Sequence, residues 1–588
     1  MKRTIGNTIS YIILTTFLFF TATIFLSAND EILRAMRDEI KRSQQQLYVE
    51  SLQKPYYIEY SLKVEDNRQI QTSLGALISS DSIKTVKLTV GVRIGDYKFD
   101  NTNFLDFGFS FFGSGDDEEV FKSRTLPIEL DYKTLRRELW LATDAAYKQA
   151  AEIYSKKEAI VKNKMRKDTT HDFIKLEPEQ YYQYRKIPFF DTEKFENLCR
   201  KLSAVFADYP QIHTSSVGLE YLPETVYYVN SEGREYIKTK LFIGLEAVVA
   251  TQAEDGMPLA NFYTAYGKIP DDLPGQDSLM FAVRNAAEKL KELYSAPILD
   301  EPYSGPILFE GQAASEIFAQ NFAPNLVVQR APLTENGLQE SDRYTAFQSK
   351  IGGRVLPEFL SVEALPNKEN IGNMTLCGSY KIDDEGVQAQ DIQLVQSGYL
   401  KNLLSSRIPT RRVRQSNGHD RGGAPMLSVI KLESDETHQK SRADLITRMM
   451  KLCKDRELPY GLIVDKVLDQ NIMYTTLFRL TSGDFPLPQG QSKTMLVEVY
   501  KVYPDGREEL VRGCQANGLS VQSFKDILDV GNKNFILNYL APSVSSPYLT
   551  GGDQYVGSTI ITPDLLFEDG EVRPPEEDFS KPPILAKP

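Results

Sequence analysis

The sequence predicts an α+β protein, with an α/β N-terminal domain followed by a β-rich C-terminal domain. Three observations carry this reading. Alternating apolar runs (Tyr56, Ile58, Tyr60, Leu62, Val64, and then Val86 to Ile94) share the first half with stretches of helical period. Pro297, Pro302 and Pro306 then break the pattern, which sets the main boundary. Beyond them, short apolar runs alternate with turn sequences. The 588 residues are 41% hydrophobic and 25% charged, enough to bury several cores.

At the N-terminus, Lys2 and Arg3 precede an uncharged, mostly apolar stretch from Ile9 to Ala28. That is long for a signal-peptide core and about long enough to span a bilayer. Residues 1–28 therefore read as a signal peptide or membrane anchor. Export to a periplasm is expected, with the protein soluble or anchored in the inner membrane; Leu26 makes cleavage after Ala28 imperfect. A helix is expected over 30–49, with Ile32, Leu33, Met36, Ile40 and Leu47 along one stripe. Residues 113–119 read as a loop, and Asp131 as the cap of a long helix from Tyr132 to about Lys167. Val226–Val229 and Tyr236–Ala250 read as strands around an Asn230–Gly233 turn, followed by a helix over Ser278–Tyr294. This N-terminal domain covers 30–296.

The C-terminal domain is expected over 303–570. Asp383-Asp384-Glu385-Gly386, Gln396-Ser397-Gly398 and Pro504-Asp505-Gly506 each separate apolar runs in hairpin fashion. One helix interrupts, with Ser441 and Asp444 in capping-box relation. Residues 571–588, rich in proline and charge, read as a loose tail.

Composition excludes more chemistry than it suggests. With 68 Lys+Arg against 80 Asp+Glu, the net charge of −12 offers no basic face for nucleic acid. Four cysteines (Cys199, Cys377, Cys453, Cys514) make no disulfide scaffold or zinc knuckle, and Cys377 and Cys514 read as small buried hydrophobes rather than nucleophiles. None of the four histidines lies three to five residues from another, so a helical His pair for a metal is absent. Phosphate-loop, nucleophile-elbow and dinucleotide motifs are also missing. The loop Ser416-Asn417-Gly418-His419-Asp420-Arg421-Gly422-Gly423, preceded by Arg411, Arg412 and Arg414, reads as a flexible, basic connection able to bind a carboxylate or a peptide terminus. Asp383, Asp384 and Glu385 read as a turn rather than a cation site.

Five segments occur in the order found in one known family: Leu135–Ala150, Val229–Gly233, Ile307–Phe322, Asp383–Leu404 with the arginine and SNGHDRGG motifs after it, and Gly551–Phe567. In these the chain resembles the TldD/PmbA (TldE) family, the modulator-of-DNA-gyrase proteins. The resemblance implies a two-domain α/β and β-rich architecture acting in dimers. It also implies zinc metalloprotease D-type subunits that digest unfolded peptide in an enclosed cavity, paired with E-type subunits that lack the metal. D-type members carry H-E-x-x-x-H just after the segment matching Ile307–Phe318. Here that stretch reads Ala319-Gln320-Asn321-Phe322-Ala323-Pro324, so the two ligand positions hold Ala319 and Pro324 and the base position holds Gln320. The third, cysteine ligand would fall near Leu549, and the nearest cysteine is Cys514. Alanine, proline and leucine side chains cannot ligate, and an amide cannot act as general base. Pro324 is also expected to disfavour a helix continuing through it.

The expectation is an E-type member without catalytic residues, metal or other cofactor. Its expected partners are a second copy or a D-type protease subunit, and unfolded peptide. Peptide would pair with an exposed strand edge, with Glu310, Gln312, Arg411 and His419 as candidate contacts. Two alternatives stay open. One is an active metallopeptidase with relocated zinc ligands, using His419 with Asp383, Asp384 or Glu310; the other is a structural envelope protein without ligand.

Overall fold

A computed structural model describes residues 31–49, 53–105, 123–163, 170–334, 346–469, 493–544, 555–576 and 579–580. The expected leader over 1–28, the 113–119 loop and the Leu549 position lie outside them. No helix among the described residues is long and apolar enough to cross a membrane.

The first half is built on a 9-stranded sheet. Its spine is a long hairpin, Pro55–Ser73 against Ala76–Ile94. The two-residue loop Leu74-Gly75 has φ of 49° and 82°, the left-handed pair that matches strand twist. Helices over 31–46 and Tyr132–Asn163 bury Leu33, Met36, Leu139 and Tyr147 against Leu62 and Val90 of this hairpin. Helices Thr192–Ala204 and Gln276–Ser295 bury Cys199, Leu202, Val283 and Leu290 against Leu219 and Leu245 farther along the sheet. Asp191 caps the first of this pair by accepting the Lys194 N–H.

One expected strand divides in two. Tyr236–Ala250 is in fact Glu235–Lys240, which pairs with Glu224–Asn230, and Ile243–Gln252, which pairs with Thr214–Tyr221. The chain leaves one part of the sheet and rejoins another at Leu241-Phe242, an apolar pair that hydropathy cannot distinguish from strand.

The second half holds a mixed 12-stranded sheet. Tyr303–Phe309 runs parallel to Gly461–Val467 and antiparallel to the long Tyr555–Arg573 strand. That strand also pairs with Ile527–Pro542. The Gln396–Gly398 and Pro504–Gly506 turns close antiparallel pairs. Helix Arg442–Asp455 has its cap at Ser441 and buries Leu445, Met449 and Cys453. Glu571 to Arg573, expected in a loose tail, belong to the long strand. All four cysteines are free and buried.

The halves are joined by buried charge. Arg407 is fully buried, and its guanidinium donates to both Glu232 carboxylate oxygens (2.8 and 2.7 Å), the Tyr57 hydroxyl and the Ile174 carbonyl. It also lies 3.9 Å from the Phe173 ring centre. Nearby, Lys238 donates to the carbonyls of Ile382 and Asp383 and to the Asp384 carboxylate, while Arg234 donates to the Gly386 carbonyl. The Asp383–Gly386 turn is therefore gripped by the N-terminal sheet. Its own shape comes from Asp383, whose carboxylate accepts the N–H groups of Glu385, Val387 and Asp420.

The SNGHDRGG segment is packed, where a flexible exposed loop was expected. His419 is 0% exposed; its Nδ1 is 3.0 Å from both Asn417 oxygens, and its Nε2 is 3.4 Å from the Ser428 hydroxyl. Asn417 in turn donates to the Leu403 carbonyl and accepts from the Ser405 N–H, so side-chain bonds replace the strand ladder that the glycines forgo.

Arg407→Met should cost about 3–5 kcal/mol in urea unfolding, because Glu232 is left buried without its partner. An unchanged unfolding midpoint would contradict this. Burial pushes the His419 imidazole down to about 3. Below the ordinary value of 6.5 the unfolded chain gains a proton there that the folded chain refuses, so stability is lost on acidification. Relative to His419→Gln, the native protein should lose about 2 kcal/mol between pH 6.5 and pH 5. Parallel stability profiles for the two proteins would contradict it.

Candidate functional site

The segment at the degenerate metal motif is an unusual helix. It opens after Glu310 with Gly311 at φ 48°, whose N–H donates to Asp564. The α-turns Gly311–Ile317 widen into a π-turn over Phe318–Phe322 and then tighten into a 3₁₀ turn, Ala323–Leu326. The chain thus stays helical through Pro324, contrary to expectation. The change of pitch places the proline in the first turn of the 3₁₀ segment, where no N–H is required. Ala319 and Pro324 are buried, and Ala319, Phe318 and Phe322 belong to the main apolar core.

Gln320 donates from its amide to Glu316 (2.7 Å) and to the Leu468 carbonyl (2.9 Å). Glu316 is 2% exposed, and burial, aided by the charge of Asp469, pushes its carboxyl well above the usual range. A methyl, an amide and a pyrrolidine ring offer zinc no ligand set here. Among the described residues no group of three His, Cys, Asp or Glu side chains is disposed to hold a metal. The residues present do not fit the zinc that the family resemblance implies for D-type members.

The four candidate peptide contacts do not converge. Glu310 and Gln312 stand together at the helix start but are occupied. Arg442 binds both oxygens of Glu310 (2.8 and 3.0 Å), and Gln312 bonds the N–H and carbonyl of Val467. His419 is enclosed in the C-terminal core, while Arg411 is exposed.

What the halves do form is a cavity of about 420 Å³. Lys238 and Lys240 come from one strand, two residues apart and so on one face. Leu241-Phe242, Lys268, Tyr380, Arg421 and the start of the Tyr555–Arg573 strand complete it. Eight lysines and arginines line it against four carboxylates, an excess opposite in sign to the whole chain. Asp384 sits between Lys238 and Lys240; although burial opposes ionisation, these two charges hold its carboxyl well below the usual range. Desolvation pushes the Lys238 ammonium down to about 8. Burial lifts the Cys377 thiol to about 12, which leaves it protonated at neutral pH and unsuited to act as a nucleophile.

The sequence marks the SNGHDRGG segment and, before it, Arg411. The arginine on the cavity is Arg421, within the motif, and not Arg411 before it. Lys238-x-Lys240 was the available signal for the opposite wall.

Residues 303–572 match the model of the PmbA/TldA metallopeptidase C-terminal domain. Solved structures extend the likeness across both halves. TldE from Thermococcus kodakarensis is 12% identical with a TM-score of 0.55, covering 92% of this chain and 99% of its own. A protein of Thermotoga maritima named as a proposed modulator of a DNA gyrase is 14% identical with a TM-score of 0.55, covering 88% and 96%. Another so named, from Bacteroides thetaiotaomicron, is 11% identical with a TM-score of 0.52, covering 92% and 99%. No curated protein sequence matches the chain. The C-terminal part of the chain therefore matches the PmbA/TldA metallopeptidase C-terminal domain, and both halves share the fold of these structures.

Proposed function

We propose that the protein is an E-type member of the family that binds extended peptide, alone or beside a D-type protease subunit, without cutting it. One observation carries the reading. The positions that hold zinc and its general base in D-type members are Ala319, Gln320 and Pro324, the first and last packed in the core and the Gln320 amide bonded to Glu316 and Leu468. The relocated-metal alternative gains no support, since His419 is buried with both ring nitrogens beside Asn417 and Ser428.

Binding is favoured by the cavity and by a strand edge beside it. The Tyr555–Arg573 strand is paired along one edge from its first residue. On the other, Val429–Ser434 joins only at Thr559, so Val556 and Gly557 reach the cavity along an edge that no described strand covers, where the Gly557 carbonyl accepts from Arg421. Main-chain pairing there would bind peptide with little demand on sequence. Residues 1–28 support an exported protein, periplasmic and either free or anchored, working as a homodimer or with a D-type partner.

Zinc analysis of purified protein should find no stoichiometric metal, and a chelator-controlled digestion of unfolded casein should find no cleavage. Stoichiometric zinc with chelator-sensitive cleavage would overturn the reading. Fractionation with N-terminal sequencing should recover the chain outside the cytoplasm, cut near Ala28 or held in the inner membrane. A soluble cytoplasmic chain keeping Met1 would overturn export.

A further inference from the structure

Arg421 and Lys268 line the cavity with no carboxylate within ion-pair distance among the described residues. Arg421 donates to the carbonyls of Leu427 and Gly557, each at 2.8 Å, and lies 4.7 Å from the Tyr380 ring centre. Lys268 donates to the Ser379 carbonyl and hydroxyl. The carboxylates of the cavity are committed elsewhere: Glu65 to Lys87, Glu224 to Lys240, Glu369 to Arg185 and Asp384 to Lys238.

Burial depresses both cations, Lys268 to about 8, and the carboxylates that act on them, Glu369 and Asp384, do so from beyond ion-pair distance while bound to Arg185 and Lys238. Enclosed charge without a counter-charge is rare in folded proteins. The wall beside them is apolar, formed by Leu241, Phe242, Leu540 and Val556. The volume of about 420 Å³ lies in the range of small-ligand sites.

We propose that this cavity is a carboxylate pocket in which Arg421 and Lys268 receive the C-terminal carboxylate of a bound peptide. The assignment rests on the peptide-binding reading and adds which end of the peptide enters. A guanidinium and an ammonium together satisfy a carboxylate through charge-assisted hydrogen bonds. The apolar wall then takes the terminal side chain, and the Val556–Gly557 edge takes the backbone behind it. A bare phosphate would use the cations but leave the wall and the edge unfilled.

Calorimetric titration of the full chain at pH 7 with glycyl-leucyl-phenylalanine, its C-terminal amide and inorganic phosphate tests this. The free acid should bind at least about tenfold more tightly than the amide, and added salt should narrow the gap. Lys268→Met should bring the acid to the level of the amide. Arg421→Gln should do the same, and Lys268→Met keeps the test decisive if loss of the Leu427 and Gly557 contacts unfolds the arginine variant. Equal binding of acid and amide would overturn the pocket while leaving peptide binding intact. Binding of phosphate with neither peptide, or of nothing, would overturn both.

Discussion

The arrangement of the two halves depends on one buried guanidinium. Arg407 comes from the C-terminal half, and its carboxylate, hydroxyl, carbonyl and aromatic partners (Glu232, Tyr57, Ile174 and Phe173) all come from the N-terminal half. Its backbone N–H is held at the same time by Glu385, in the turn that Lys238 and Arg234 grip from the opposite side. Buried ion pairs add little net stability over apolar packing, but misplacing one partner costs several kcal/mol, on the order of 3–5. A contact of this kind selects one relative placement of the halves, and the cavity exists only in that placement. Lys238 illustrates the economy: one ammonium holds the turn and forms part of the cavity wall.

On the proposed reading, the same frame explains how this architecture can persist without protease chemistry. The helix at Gly311–Leu326 is needed for the core whether or not it binds metal, because Phe318 and Phe322 stack on each other and meet Phe524 and Phe347. Exchanging ligands for Ala319 and Pro324 keeps that packing, and Gln320 remains bonded within the helix and to Leu468. Recognition on this account depends instead on the cations and strand edge of the cavity.

Much of the fold was legible because local signals and burial agreed. Asp131 and Ser441 mark true helix starts, and the alternation through Tyr60, Leu62 and Val90 marks strands whose apolar face is truly buried. The failures share one cause, tertiary context that local pattern does not encode. Leu241-Phe242 reads as strand although its apolar side chains line a cavity. The π-turn at Phe318 keeps an apolar face, so nothing in the spacing announces the change of pitch that carries the helix past Pro324. His419 reads as exposed because glycines and charges surround it; the bonds that bury it run to Asn417 and Ser428. The candidate site was half legible. The motif containing Arg421 was visible, but Lys238 and Lys268 lie more than a hundred residues earlier, and only the fold brings them to the same cavity.

The central claim is that peptide is held intact between the halves, away from the degenerate motif. A crystal structure of the full chain grown with zinc and an extended peptide tests it most directly. The account predicts an uncut peptide beside Val556 and Gly557 with its terminal carboxylate at Arg421 and Lys268, and no metal at Ala319–Pro324. Zinc bound in that segment, or a cleaved peptide lying along it, would contradict it.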